Sequence, residues 1–175
     1  MIRQAQPSDR AFIAALSGKA FSVYGPYRTT VSRWFDSGVT MTFVSTAQAR
    51  PVGFVMIGAL PGDTEGETRA EVLAIAVLPA FQNKGIGEGL LQHAERRLEE
   101  MGEKRIFLHT AKENLAAQKL FLRSGFRPVE MKKGFYPFGQ DALMMVHEIR
   151  KDRDTDPLGA KPCPRSMRFP DFGLE

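Results

Sequence analysis

One cysteine, Cys163, leaves the chain without an internal disulfide or a cysteine-based zinc cluster. Three scattered histidines, His93, His109 and His147, make no metal site, so no metal is expected. No apolar run approaches the roughly 20 residues that span a bilayer. The first residues, Met1 to Pro7, lack the apolar stretch of a secretion signal. No membrane partner and a cytoplasmic location are therefore expected. Wholesale disorder and collagen are excluded by a composition of 43% hydrophobic and 25% charged residues. A chain of 175 residues predicts one domain with some residues to spare.

Charge is present in both signs, with a net +4. Its surplus is local: residues 81–133 hold 11 Lys+Arg against 7 Asp+Glu. Such an excess suits either a phosphorylated small molecule or a solvated helix surface. Nucleic acid is not expected, because no helix-turn-helix, zinc finger or RNA-binding aromatic motif accompanies it.

Periodicity sets out the elements. Ile2 to Ala5 reads as a short strand. A helix follows, capped by Ser8 or Asp9 and carrying Phe12, Ile13, Leu16 and Ala20. Thr29 or Thr30 caps a second helix with Val31, Trp34 and Phe35. Residues 40–45 and 52–58 form a hairpin turning at Ala49-Arg50-Pro51. An acidic loop with Asp63, Glu65 and Glu67 leads to an apolar strand from Glu71 to Val77. Gly85 opens a long helix, with His93 on its surface, and Gly102 stops it. Arg105 to Thr110 is a buried-type strand, and Asn114 caps a shorter helix stopped at Ser124-Gly125. Two strands, 126–131 and 142–149, flank the aromatic loop Gly134 to Gln140. The sum is β-α-α-β-β-β-α-β-α-β-β, an α/β domain over residues 1–150. Residues 151–175 lack periodicity and read as a tail, loosely ordered or packed on the domain.

The strand-to-helix junction at residues 73–90 carries the strongest signal. A helix start has unpaired N–H groups and partial positive charge, and glycines let a phosphate approach that backbone closely. Gln82, Asn83 and Lys84 add donors and a cation, so Gln82 to Glu88, through Gly85, Ile86 and Gly87, predict a pyrophosphate seat. The spacing misses the dinucleotide G-x-G-x-x-G pattern by one residue, and no Walker lysine is present.

Gln-x-x-Gly-x-Gly after an apolar strand resembles the acetyl-CoA loop of the GNAT acyltransferase superfamily. The stretch from His109 to Phe126 is similar to that superfamily's downstream block, with an Asn cap, an Ala three on, and a Leu-aromatic pair before Gly-Phe. The resemblance covers residues 1–150 in element order and is specific in 71–149. It implies a central mixed, mostly antiparallel sheet of about seven strands, splayed between strands 4 and 5 and flanked by about four helices. The cosubstrate it implies is acetyl-CoA. The pantetheine arm would pair with the backbone of Ile75, Ala76 and Val77, whose side chains serve the core. Asn114, Ala117 and Phe121 would flank the same cofactor. A homodimer is compatible with the resemblance, which does not fix the oligomeric state.

Amine acetylation needs a base, an oxyanion donor and an acid for the leaving thiolate. Glu71 matches the position of the catalytic glutamate in the family's histone-lysine acetyltransferases. His109 matches a histidine that serves as base in some N-terminal acetyltransferase subunits. Phe121 departs from the pattern, because many members have there a tyrosine that protonates the thiolate. Tyr136 and Tyr24 are the substitutes, with Tyr136 preferred. The run from Phe135 to Met145 resembles the tyrosine-rich loop of protein N-terminal acetyltransferases, the ribosomal-protein alanine type among them, where loop tyrosines hold the acceptor backbone. Tyr24 and Tyr136 are thus expected to bind acceptor. The expectation is an N-acetyltransferase acting in a ternary complex on a primary amine, with a protein N-terminus or lysine first and a small amine second. The rival is a non-catalytic acyl-CoA-binding or regulatory module, which Phe121 favours.

Overall fold

Alternating and helical apolar periods resolve into seven strands and four helices in a computed structural model, which describes residues 1–62 and 68–149. The expected tail 151–175, with Cys163, and the acidic residues Asp63, Glu65 and Glu67 lie outside the described residues. The order is β1 (Ile2–Gln4), α1 (Arg10–Ala20), α2 (Tyr27–Asp36), β2 (Met41–Ala47), β3 (Arg50–Pro61) and β4 (Thr68–Val77). Then come α3 (Ile86–Glu100), β5 (Arg105–Ala111), α4 (Leu115–Arg123), β6 (Arg127–Lys132) and β7 (Ala142–Glu148). One sheet holds all seven strands in the order β1-β2-β3-β4-β5-β7-β6. Every pair is antiparallel except β4 with β5.

Each face of the sheet has its own core. On one, α3 and α4 bury Leu90, Leu91, Ala94, Leu98 and Phe121 against Val55, Val72, Ile106, Leu108 and Met145. On the other, α1 and α2 bury Ile13, Leu16 and Val31 against Phe54, Met56, Ala74 and Ala76. Alternate strand residues serve opposite faces because a strand repeats every two residues.

The break in that alternation that matters for the site lies in β4; two others fall in the β2/β3 and β6/β7 pairs. The register with β3 runs Met56↔Ala74 and then Ile57↔Val72, so Leu73 is an inserted residue. Ala70 and Val72 therefore join the α3/α4 core, while Ala74 and Ala76 join the α1/α2 core. Arg69 and Glu71 consequently face the α1/α2 side.

The parallel pairing of β4 with β5 is short: Ala70↔Ile106, Glu71↔Phe107 and Val72↔Leu108. Beyond it, Leu73 to Val77 keep β3 on one edge and have no strand on the other. This is the expected opening between strands 4 and 5.

Four local expectations are corrected. Strand β4 begins at Thr68, so Glu71 lies inside it rather than at its start; the hairpin with β3 extends to Pro61↔Thr68. The β2–β3 turn is Gln48-Ala49, both with left-handed φ (49° and 62°), and Pro51 is already in β3. Helix α2 starts at Tyr27 after Pro26, and the Thr30 hydroxyl donates back to the Pro26 carbonyl at 3.3 Å instead of capping. His93 is half-buried, with its ring edge-on to Phe43 at 4.6 Å.

Asp9 is buried ahead of α1 and accepts from the Arg3 guanidinium through both oxygens, at 2.7 and 2.9 Å, and from Gln6 N–H at 2.8 Å. The Arg3 hydrogen bonds hold its carboxyl below the ordinary value against the opposing effect of burial. A carboxyl lowered on folding stabilises fully above its unfolded pKa of about 3.9, and that stability is lost as pH falls through the folded value. Asp9→Ala is expected to cost about 1–3 kcal/mol at neutral pH. Thermal melts from pH 3 to 7 should show the wild-type advantage shrinking below about pH 4.

Candidate active site

The short β4/β5 pairing places Glu71 directly beside β5 at the point where the strands part. His109 is two residues past Phe107 on the same face of β5. The Glu71 Oε1 to His109 Nδ1 distance is 2.5 Å, with the two side chains 5% and 6% exposed. A carboxylate can only accept, so Nδ1 carries a proton, and in the neutral imidazole Nε2 is then the nitrogen with the lone pair. His109 Nε2 is buried and has no hydrogen-bond partner among the described residues. The other carboxylate oxygen, Glu71 Oε2, lies 3.5 Å from Arg69 Nη2.

Aromatic rings enclose this pair. Phe135 stacks on the His109 imidazole, with centroids 4.3 Å apart and 13° between planes. Tyr136 meets Phe135 edge-on, lies 5.0 Å from Tyr24 and has Tyr27 edge-on at 6.3 Å. All three tyrosines of the chain thus converge here. Burial pushes the Tyr136 hydroxyl well above the ordinary tyrosine range, and Tyr27, Tyr24 and the Glu71 charge add to it. Burial also raises Tyr27, and raises Tyr24 with help from the Glu113 charge. The nearby Asn114 side chain at the start of α4 opposes that rise.

The loop bearing Phe135 and Tyr136 is held at both ends. Asp141 accepts from Gly134 N–H at 3.0 Å and from Lys133 at 2.9 Å. Phe138 N–H donates to the Tyr24 carbonyl at 3.3 Å, and the Gln140 side chain donates to the Val23 carbonyl at 2.6 Å. Left-handed φ values at Gly134 and Gly139 turn the chain.

On the far side of the opening lies the predicted phosphate seat. Asn83 and Gly85 both have left-handed φ, 58° and 75°, and α3 begins at Ile86. Asparagine is one of the few non-glycine residues that adopts this conformation readily. The first N–H groups of α3, on Ile86, Gly87 and Glu88, have no intrahelical acceptor. The expected side-chain donors are otherwise engaged. Gln82 donates to the Val77 carbonyl at 3.0 Å, and Lys84 to the Ala80 carbonyl at 2.9 Å. Glu88 pairs with Arg123 of α4 at 2.9 Å. These contacts tie down the side chains of the loop and leave the first N–H groups of α3 as its available donors.

Ile75, Ala76 and Val77 pair with Val55, Phe54 and Gly53 on one edge, and their other edge opens into the gap. Asn114 caps α4, accepting from Ala117 N–H at 3.1 Å. Phe121 is buried in the α3/α4 core against Phe126, with centroids 5.9 Å apart, so its ring serves packing. Donor-rich backbone at a helix start, followed by an open strand edge, fits an elongated ligand with a pyrophosphate and an amide-bearing arm. Tyr27 and Arg69 were absent from the sequence-based site. Tyr27 had a signal in its closeness to Tyr24 across a turn; Arg69 had none.

Among the described residues no group of His, Cys, Asp and Glu could hold a metal, and no helix is long and apolar enough to cross a membrane.

The chain matches the family model described as "Acetyltransferase (GNAT) family" over residues 10–126. It is 31% identical over 155 residues to an N-alpha-acetyltransferase of Sulfurisphaera tokodaii, covering 83% of this chain and 90% of that one. It is 35% identical over 83 residues to the [ribosomal protein bS18]-alanine N-acetyltransferase of Salmonella typhimurium, covering 46% of this chain and 56% of that one. Its fold superposes on Arabidopsis thaliana NAA60 in complex with acetyl-CoA, with a TM-score of 0.72 at 18% identity, over 85% of this chain and 98% of that one.

Proposed function

The chain belongs to the GNAT acetyltransferase family, and on that premise we propose that it acetylates the N-terminal amine of a peptide or protein. It is an N-acetyltransferase whose cosubstrate is acetyl-CoA. The acceptor class rests on the tyrosine-lined mouth and on the names of its relatives, which are N-alpha- and ribosomal-protein alanine acetyltransferases. A lysine or a small amine is the second choice. A cytoplasmic location accords with this reading.

The observation that carries the mechanism is the buried Glu71–His109 pair where β4 and β5 part. Acetyl-CoA, when bound, supplies an acyl group activated as a thioester. Gln82 to Glu88 would hold its pyrophosphate on backbone N–H groups, and the free edge of Ile75, Ala76 and Val77 would hold its arm. His109 takes the ammonium proton at Nε2, while Glu71 fixes the tautomer at Nδ1 and balances the charge that forms.

Tyr136 keeps its proton across the physiological range, because burial raises it. It therefore cannot serve as the base; the rise weakens it as an acid, so the donor role rests on its place in the tyrosine cluster beside the Glu71–His109 pair. With Phe121 in the position where many relatives carry tyrosine, Tyr136 supplies the proton for the departing thiolate, and Tyr24 lies against it at the acceptor end. Tyr136→Phe is expected to lower kcat about 100-fold and leave the CoA Kd unchanged. Stopped-flow thiol release, with CoA binding measured alongside, checks this; an unchanged kcat moves the donor role elsewhere.

The acceptor is tested by thiol release from acetyl-CoA with N-terminal peptides, N-terminally blocked lysine peptides, polyamines and amino acids. Release with free N-terminal peptides and none with blocked ones is expected. Release only with polyamines would overturn the peptide reading, and tight CoA binding with no release on any amine would favour a binding module.

A further inference from the structure

We infer that Arg69 is a positioning residue for the Glu71–His109 pair, acting on the carboxylate from the side opposite the histidine. This rests on the reading of that pair as the base. The bulge at Leu73 sets the geometry: Arg69 and Glu71, two residues apart before it, share the α1/α2 face of β4. The Arg69 guanidinium lies over the Phe107 ring at 5.1 Å, and its side chain is only 14% exposed. Phe107 is the strand partner of Glu71 on β5, two residues before His109. The same ring therefore fixes the height of the cation and lies beside the carboxylate.

The need for a cation follows from the burial of Glu71. One carboxylate oxygen is engaged by His109 Nδ1 at 2.5 Å. The other has no hydrogen-bond partner among the described residues, and Arg69 Nη2 stands 3.5 Å from it. A buried carboxylate is costly unless opposite charge lies close by. Arg69 supplies that charge without competing for the oxygen that holds the imidazole. Glu71 is then anchored from one side and accepts from the other, which keeps the proton on Nδ1 and the lone pair on Nε2. Phe107 below Arg69 and Phe135 over His109 close the row at its two ends.

The test compares Arg69→Gln and Arg69→Lys with wild type in steady-state acetyl transfer, together with the His109 tautomer read from imidazole nitrogen-15 shifts. Arg69→Gln is expected to lower kcat about 10- to 100-fold, with the acceptor KM changed less than about twofold. His109 should move from the Nδ1–H tautomer to a mixture, and Arg69→Lys should restore most of the loss. Arg69→Met, which keeps an unbranched stem against Phe107, carries the same test if the glutamine variant does not fold.

Unchanged kcat and tautomer in Arg69→Gln, with Glu71→Gln inactive, would overturn the role of Arg69 and leave the base intact. A rise in acceptor KM alone would also overturn it, since Arg69 would then be binding the acceptor. Full activity of Glu71→Gln would instead remove the base reading itself, and the two failures are told apart by that variant.

Discussion

His109→Ala is expected to lower kcat by about 100- to 10,000-fold, the range associated with loss of a positioned general base. The loss should appear in kcat and kcat/KM together, since the imidazole acts on the proton that moves rather than on ground-state binding. Glu71→Gln should show a similar fall. A glutamine can still lie beside the imidazole, but it brings no charge and no longer dictates the tautomer. The double variant should lose little more than the worse single one, because the two side chains act as a unit. Normal turnover in the double variant would dismiss the pair as the base. Removing the imidazole leaves Phe135 without its stacking partner. His109→Gln, which retains more of the volume, therefore belongs in the comparison, with thermal melts to confirm folding.

The second large effect is expected at Gly85. Its φ of +75° is left-handed, and a Cβ there would meet nothing within 4 Å. The penalty for Gly85→Val is thus conformational rather than a clash, and it is relieved by turning the peptide that leads into α3. That movement reaims the N–H groups of Ile86, Gly87 and Glu88. Hydrogen bonds to a charged group contribute about 1.5–3 kcal/mol each, so losing one raises the CoA Kd about 10- to 150-fold. Gly102 is the matched control. It has a φ of +85° with open space around a Cβ, but it follows the other end of α3. Gly102→Val should cost comparable stability and leave CoA affinity unchanged. Calorimetric titration of both variants separates the seat from general strain; equal weakening in both would mean that residues 82–88 do not hold the pyrophosphate. Gly87 has a different constraint, because a Cβ there would lie 3.0 Å from Leu120 Cδ2 and press α3 against α4.

Element order was legible from the sequence because most elements have strong apolar periods. Helix α3 repeats Leu90, Leu91, Ala94 and Leu98 on one face, and all four are buried. The strands around Phe54 and Ile75 carry apolar runs bounded by glycine, proline or charge. The hairpin turn at Gln48-Ala49 was misplaced by its residues. Neither is glycine or asparagine, so nothing local marks two consecutive left-handed positions, whereas Pro51 looks like a turn. The start of β4 was missed for a related reason. Thr68 to Ala70 are polar or small, and it is pairing with Ala59 to Pro61 of β3, and of Ala70 with Ile106 of β5, that draws them into the sheet.

The helix start behind the proposed seat at residues 82–88 could be read locally, since that start and its glycines are neighbours in the chain. Its side chains could not. Gln82 and Lys84 look like free donors in the sequence, yet each has a backbone carbonyl within reach, at Val77 and Ala80. Phe121 fits the motif as a cofactor neighbour, and only the fold shows that its ring is also buried in the α3/α4 core.

By itself, the sequence determined the class of fold and the cosubstrate that its family motifs implied, because those features follow from patterns a few residues long. Tertiary structure decided which titratable groups meet. Glu71 and His109 are 38 residues apart in sequence, and no spacing rule joins them. Two events bring them together: β4 and β5 pair for three rungs before diverging, and one inserted residue, Leu73, changes which alternate side chains of β4 face α1 and α2. A one-residue shift in a strand exchanges its faces. Whether Arg69 and Glu71 look toward the tyrosines or into the α3/α4 core therefore depends on that single bulge, which only the pairing with β3 reveals.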